Sequence, residues 1–169
     1  KRILLIGGAG FIGHNLAIEL EAMGANVTVA DGFRVNSLLN LAIATSETQD
    51  LHIYKDFLTE RLELLREKNI QLEIIDASNR YDLARLLDRG FDVVYLLAAV
   101  SHASRSNTKP LDAINNGLVP FVNVVSELAE KPKTRLVYIS SSTVYGNFVK
   151  DAVDETDICK PFGMYAVLK

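Results

Sequence analysis

Seven residues near the amino end constrain this chain more than any others: Gly7-Gly8-Ala9-Gly10-Phe11-Ile12-Gly13. They follow a short apolar run of strand type, Ile3-Leu4-Leu5-Ile6. Around and after them, Ile12, Leu16, Ala17 and Leu20 have the spacing of one helix face. A strand that becomes a helix through spaced glycines leaves the first helical N–H groups pointing outward. The helix dipole favours negative charge there, and glycine lets a pyrophosphate approach the backbone closely. Alone, a glycine pattern is a weak signal; between a strand and a helix it is a good one.

A second element follows at once. Gly24 stops the helix, Asn26 to Ala30 reads as strand two, and Asp31 stands at its end, 18 residues beyond Gly13. A dinucleotide fold places a carboxylate there to accept hydrogen bonds from the adenosine ribose hydroxyls. The same carboxylate repels a 2′-phosphate, so the expected cofactor is NAD rather than NADP. Arg34 lies close enough to favour the phosphate, but Asp31 holds the position that the geometry specifies.

The rest alternates. Residues 32–69 form a long connection, with a short helix expected around Leu38, Leu41 and Ala42. A longer amphipathic helix is expected around Phe57, Leu58, Leu62 and Leu65. Strand three is Gln71 to Ile75, ending in Asp76-Ala77. Arg80 to Arg89 reads as a helix with Leu83, Leu86 and Leu87 inward. Asp92 to Ala99 is a nearly continuous apolar run, suited to a strand buried on both faces. A polar loop is expected over Ser101 to Lys109. Pro110 then starts a long helix with Val119, Val122, Val125 and Leu128 at helical spacing, in which Pro120 predicts a kink or a later start. Strand five is Arg135 to Ser140.

This alternation is the signature of an α/β doubly wound parallel sheet with helices on both faces. Right-handed crossovers give the strand order 3-2-1-4-5. Ligands in such sheets sit at the carboxyl ends of the strands. The glycine loop, Asp31, Asp76, Ala98-Ala99 and Ser140-Ser141 all fall at such ends. The 169 residues make one domain by the usual length prior, and 49% apolar residues supply a core.

Charge and cysteine content narrow the partners. The net charge is −3, from 18 basic and 21 acidic residues, without a concentrated basic block, which argues against nucleic acid. No apolar run approaches the ~20 residues needed to span a bilayer. A start almost directly on a strand gives no sign of a signal peptide, and the single Cys159 permits no internal disulfide, so a cytoplasmic setting is expected. His14, His52 and His102 lack ligand spacing, and no metal site is expected.

Chemistry enters at the far end. Tyr165 and Lys169 are four residues apart, one helical turn, so both can face the same side. A phenol ordinarily titrates near ~10 and is a poor base at neutral pH. A lysine cation one turn away, with the positive nicotinamide ring of NAD+, favours the phenolate. Tyr165 would then take a proton from a substrate hydroxyl while hydride leaves the same carbon. A hydroxyl donor such as Ser141 would hold the developing oxyanion.

Together these segments resemble the extended short-chain dehydrogenase/reductase superfamily, in its NAD-dependent sugar-nucleotide epimerase/dehydratase branch. The carriers are Gly7 through Gly13, Leu97-Ala98-Ala99, Ser140-Ser141-Ser142-Thr143-Val144-Tyr145-Gly146, Asp154-Glu155-Thr156, Pro161 and the Tyr165/Lys169 pair, in the family's order. The resemblance implies a Rossmann-type NAD-binding domain over residues 1–169. Gly7, Gly10, Phe11, Ile12 and Gly13 would hold the pyrophosphate, Asp31 the ribose, and Asp76 with Ala77 the adenine edge. Leu97, Ala98, Ala99 and Ser140 would line the cofactor. Tyr165 would be the base, Lys169 would bind the nicotinamide ribose and tune the tyrosine, and Ser141 is the catalytic Ser/Thr position counted back from Tyr145.

The branch is narrowed by what stands at two positions. The dehydratases carry an Asp-Glu pair after the catalytic threonine, and the decarboxylases carry a Glu two residues before the tyrosine of Val-Tyr-Gly. Here those positions are Ser142 and Thr143. This is closer to the UDP-glucose 4-epimerase pattern, with a UDP-linked nucleotide-sugar as expected substrate. A reductase, a dehydratase or a non-catalytic NAD-binding protein are the competing readings. In four places the chain departs from the family pattern: His14 replaces a usual serine, Leu96 a histidine and Leu168 a serine, and the Asn of an Asn-x-x-Gly-Thr motif falls on Gly117, with Asn116 one place off. The family also continues into a C-terminal substrate-binding part, and its helices equivalent to 110–130 often pair, which leaves room for a homodimer.

Overall fold

The protein is described by a computed structural model, which covers residues 1–34, 37, 49–99, 103–148 and 150–169. Five strands form one parallel sheet: β1 (Arg2–Ile6), β2 (Asn26–Asp31), β3 (Gln71–Ile74), β4 (Val93–Leu96) and β5 (Arg135–Tyr138). Their order is β3-β2-β1-β4-β5, as the alternation requires. β1 lies in the middle, with Leu4 opposite Thr28 on one side and Val94 on the other.

Period-two alternation in β1 builds two cores. Leu4 and Ile6 point to one face and pack with Leu83, Leu86 and Leu87 of α3 (Arg80–Leu87) and with Val124 and Leu128 of α6 (Val119–Ala129). Ile3 and Leu5 point to the other and pack with Ala17 of α1 (Phe11–Ala22) and Leu65 of α2 (Gln49–Glu67). Helices cover both faces because both faces are apolar.

Several expectations change. The helix foreseen near Leu38, Leu41 and Ala42 lies outside the described residues. In α2, Leu58 and Leu65 are buried but Phe57 is exposed. Ile12 is exposed rather than inward, because it sits on the first turn of α1 at the open end of the sheet. β4 is shorter than its apolar run, since Leu97 and Ala98 leave the ladder to donate together to the Ile6 carbonyl. The expected loop over Ser101 to Lys109 contains a helix, α4 (Ala103–Thr108), in which Ser106 is buried. A polar sequence hid it, because its support is tertiary packing against α7 (Met164–Val167).

The long helix from Pro110 is the clearest correction. It begins as α5 (Pro110–Ala113), passes through a π-helical turn (Ile114–Leu118), and resumes as α6 with Pro120 in its first turn. Proline has no N–H to complete an α-helical ladder, and the wider turn absorbs the defect. Pro120, Val124 and Leu128 face the core, whereas Val122 and Val125 are exposed.

Candidate functional site

The carboxyl ends of the strands gather the expected residues. The glycine loop is held by the sheet itself: the Gly7 amide donates to the Ala30 carbonyl at 2.7 Å. Gly7 has φ +81°, and a Cβ there would stand 2.6 Å from the Ala98 amide nitrogen. A Cβ on Gly13 would meet the Gly8 Cα at 2.5 Å. Both positions therefore require glycine, one for its conformation and one for close packing of helix on loop. The first turn of α1 has no side-chain cap and no acidic residue. Uncapped N–H groups at the end of a twelve-residue helix suit a pyrophosphate. His14 is buried, and its ring Nδ1–H donates to the Gly10 carbonyl at 2.9 Å, holding the turn from within.

Asp31 closes the next position. Its Oδ2 accepts the Ala9 amide at 3.1 Å and its Oδ1 the Phe33 amide at 2.8 Å. Burial pushes the carboxyl above its usual range, more than these two amides pull it down. One β-strand over, Asp76 is also partly buried, but it accepts from the Ser78 amide and hydroxyl and from Arg34. Burial opposes the charged form there, yet the combined donors hold Asp76 below the ordinary carboxylate range. Ala77 is buried behind it, and Asn123 of α6 donates to the carbonyls of both Ala77 and Ser78 at 3.1 Å.

The Tyr165/Lys169 pair is fixed by the end of β5. Tyr138 donates to the Leu168 carbonyl at 3.0 Å, and Ser140 to the main-chain oxygen of Lys169 at 3.0 Å. Between them, the Lys169 ammonium donates to the Ile139 carbonyl at 2.9 Å. The ammonium stands 6.0 Å from the Tyr165 ring centroid and 5.5 Å from that of Tyr138. Burial pulls Lys169 below the usual lysine range. Burial, with Tyr165 adding to it, pushes the Tyr138 phenol up, so that it stays a protonated donor. A narrow crevice brings Ala99, Gly117, Tyr138, Tyr165 and Lys169 together. At the start of α7, the Met164 amide is capped by Asn107 at 2.8 Å.

Ser141 lies on the same strand end but outside that crevice, capping a 3₁₀ turn (Ser142–Tyr145). Its Oγ accepts the Thr143 amide at 3.3 Å and the Thr143 hydroxyl at 3.0 Å. A serine hydroxyl has two lone pairs and one hydrogen, so both acceptor sites are used and the hydrogen is left to donate outward. Sequence reasoning missed Tyr138, Asn107 and Asn123. Tyr138 was hidden in an apolar strand, and the two asparagines carry no motif. A depression of about 490 Å³ lies at the opposite end of the strands near Arg2, Phe91 and Lys131 and includes none of these residues. Among the described residues there is no metal-ligating cluster, and no helix is long and apolar enough to cross a membrane.

Comparison with known proteins gives the family and the fold. The family model of the NAD dependent epimerase/dehydratase family matches residues 3–169. Among curated relatives, a bifunctional UDP-glucose 4-epimerase and UDP-xylose 4-epimerase of Pisum sativum is 29% identical over 86% of this chain and 38% of its own length. A UDP-N-acetyl-alpha-D-glucosaminuronate decarboxylase of Bacillus cytotoxicus is 30% identical over 86% of this chain and 38% of its own. Among solved structures, the UDP-Glc/GlcNAc 4-epimerase of Campylobacter jejuni superposes with a TM-score of 0.80 at 22% identity. It covers all of this chain and 46% of that one. A UDP-glucose 4-epimerase of Bifidobacterium longum, solved with NAD+ and UDP, gives a TM-score of 0.79 at 20% identity, with 100% and 46% covered. The chain thus spans less than half the length of these relatives. The family match and the Rossmann-type sheet lead to one assignment: the chain belongs to the NAD-dependent epimerase/dehydratase family.

Proposed function

We propose that this chain is the cofactor-binding half of a nucleotide-sugar 4-epimerase acting on UDP-linked sugars, with Tyr165 as base. The observation that carries the reading is the placement of the Lys169 ammonium, 6.0 Å from the Tyr165 ring and anchored on the Ile139 carbonyl beside Ser140 and Ser141. It stands at the same edge of the sheet as the glycine loop and Asp31. Gly7, Gly10, Phe11, Ile12 and Gly13 hold the pyrophosphate, Asp31 the ribose, Asp76 and Ala77 the adenine edge. Leu97, Ala98, Ala99 and Ser140 line the path to the nicotinamide.

NAD, when bound, supplies an acceptor and later a donor for the hydride at the sugar carbon. The protein handles the proton. Tyr165 takes it from the sugar hydroxyl, and the Lys169 cation favours the phenolate that receives it. Ser141 directs its hydroxyl hydrogen at the sugar oxygen as negative charge develops. Tyr165 returns the proton after hydride has come back to the other face. Ser142 and Thr143 support epimerisation over elimination or decarboxylation, because neither offers the carboxylate that those outcomes use.

The test is to incubate the full-length protein with UDP-sugars and catalytic NAD. Conversion of one 4-epimer to the other with no net NADH is expected. A product that requires stoichiometric NADH would make the enzyme a reductase.

A further inference from the structure

Arg34 is the one charged residue of the loop after β2 whose contacts are described, and its guanidinium does not point at open solvent alone. One Nη donates to the Asp76 carboxylate at the end of β3. The other donates to Oδ1 of Asn116 at 2.7 Å, 82 residues away in sequence. Asn116 in turn donates from Nδ2 to the Asp112 carbonyl at 2.7 Å. One side chain therefore joins three segments: the loop after β2, the end of β3 and the helix that starts at Pro110.

The π-helical turn makes this possible. Asn116 lies inside Ile114–Leu118, where the helix holds one more residue per turn than an α-helix. One residue of register rotates a side chain by about 100° around the helix. The same turn that accommodates Pro120 thus also sets the direction from which Asn116 meets Arg34.

We propose that the Arg34–Asp76–Asn116 clasp determines which dinucleotide this site accepts, by withholding Arg34 from a 2′-phosphate. The inference rests on the cofactor reading given above. Arg34 follows Asp31 by three residues, close enough for a free guanidinium to offset the repulsion between Asp31 and a ribose phosphate. In the clasp, Asp76 balances its charge, Asn116 fixes its second nitrogen, and Ser78 keeps Asp76 in place to do so. An anion would have to break charge-assisted bonds to recruit it. NAD, with only ribose hydroxyls, asks nothing of Arg34.

The experiment measures dissociation constants of NAD and NADP by isothermal titration on the full-length protein and its variants. The parent is expected to bind NAD at least about tenfold more tightly than NADP. Asn116→Leu and Asp76→Asn each loosen Arg34 and should shift the NADP/NAD affinity ratio toward NADP by about fivefold, the net scale of one ordinary hydrogen bond. Asn116→Asp tightens the clasp and should shift the ratio the other way, which keeps the test decisive if Asn116→Leu fails to fold. Adding Arg34→Ala to Asn116→Leu should return the ratio to that of the parent. A ratio unmoved within about twofold in all three single variants, with NAD still bound, overturns the clasp and leaves the cofactor site standing. A gain that survives Arg34→Ala also overturns it. A parent that binds neither dinucleotide overturns both readings.

Discussion

The Ala9 amide donates to the Asp31 carboxylate at 3.1 Å, so the residue that ends β2 grips the loop that follows β1. Burial raises the Asp31 carboxyl value, while the Ser78 and Arg34 donors outweigh burial and lower that of Asp76 on the neighbouring strand. The two carboxylates therefore contribute to stability with opposite dependence on pH. The folded state binds the Asp31 proton more tightly than the unfolded chain does. Its contribution is most favourable below the ordinary carboxylate value near ~3.9 and falls as pH rises from there to the raised native value. Thermal unfolding should show Asp31→Asn gaining stability relative to the parent across that window. Asp76→Asn should lose ground relative to the parent as pH rises through its depressed native value, since the Asp76 contribution is complete above ~3.9 and is lost on acidification. Parallel pH profiles for both variants would contradict this account.

Gly13 touches the glycine loop so closely that a methyl group has no room. Gly13→Ala must push α1 away from Gly8, which moves the helix N-terminus from the position in which, on the proposed reading, its N–H groups would meet a pyrophosphate. NAD affinity in the full-length protein should fall at least about tenfold, roughly 1.4 kcal/mol. Wild-type affinity measured by titration would remove this contact from the cofactor site.

Tyr165→Phe should abolish proton transfer while keeping the ring that packs beside Lys169. A loss of about 10²- to 10⁴-fold in kcat is expected for removal of a general base, with the NAD dissociation constant little changed. Steady-state kinetics with a UDP-sugar, alongside NAD titration, separate the two. Residual activity above about a tenth of wild type would assign the base elsewhere.

Thr143 occupies both lone pairs of Ser141 and so aims the serine hydrogen outward. Thr143→Val keeps the amide and the shape but removes the hydroxyl donor. With one lone pair released, the Ser141 hydroxyl can rotate, and kcat should fall about tenfold, one charge-assisted hydrogen bond's worth of oxyanion stabilisation, while KM and NAD binding hold. A drop in NAD affinity equal to the drop in kcat would make Thr143 a structural residue of the 3₁₀ turn instead.

The buried face of α6 runs through Pro120, Val124 and Leu128 and leaves Val122 outside. Val124 is fully buried, and Val124→Ala should cost about 2 kcal/mol of stability from lost burial and the cavity left behind. Val122 is exposed, and Val122→Ala should change stability by less than about 0.5 kcal/mol. Thermal unfolding of the two full-length variants tests the register directly. Equal costs would contradict this placement.

Much of this arrangement is legible before any coordinates. The alternation Ile3, Leu5 against Leu4, Ile6 can be satisfied only by a sheet covered on both faces, and strand–helix alternation then allows few topologies. Asp31, Asp76 and Ser140-Ser141 were readable as strand-end residues because the apolar runs stop there. The helix over Ala103–Thr108 was not readable, since local composition argues for a loop and only packing against α7 stabilises it. Asn107 and Asn123 were silent for the same reason, and Asn116 was readable only as a motif residue one place off: an asparagine that caps or clasps a distant segment leaves no periodicity behind.

The glycine loop shows the division most simply. By itself, the sequence determined the strand, the turn, the helix and the need for small residues between them, because propensity, apolar period and backbone sterics are local. Only tertiary structure decided what lies against Gly7 and Gly13, that Asp31 grips Ala9, that Lys169 stands between two tyrosines, and that Arg34 is tied to Asp76 and Asn116. Those relations join residues up to 91 positions apart, from Gly7 to Ala98. They arise only once β1 is buried between its neighbours, bringing the carboxyl ends of all five strands to one edge.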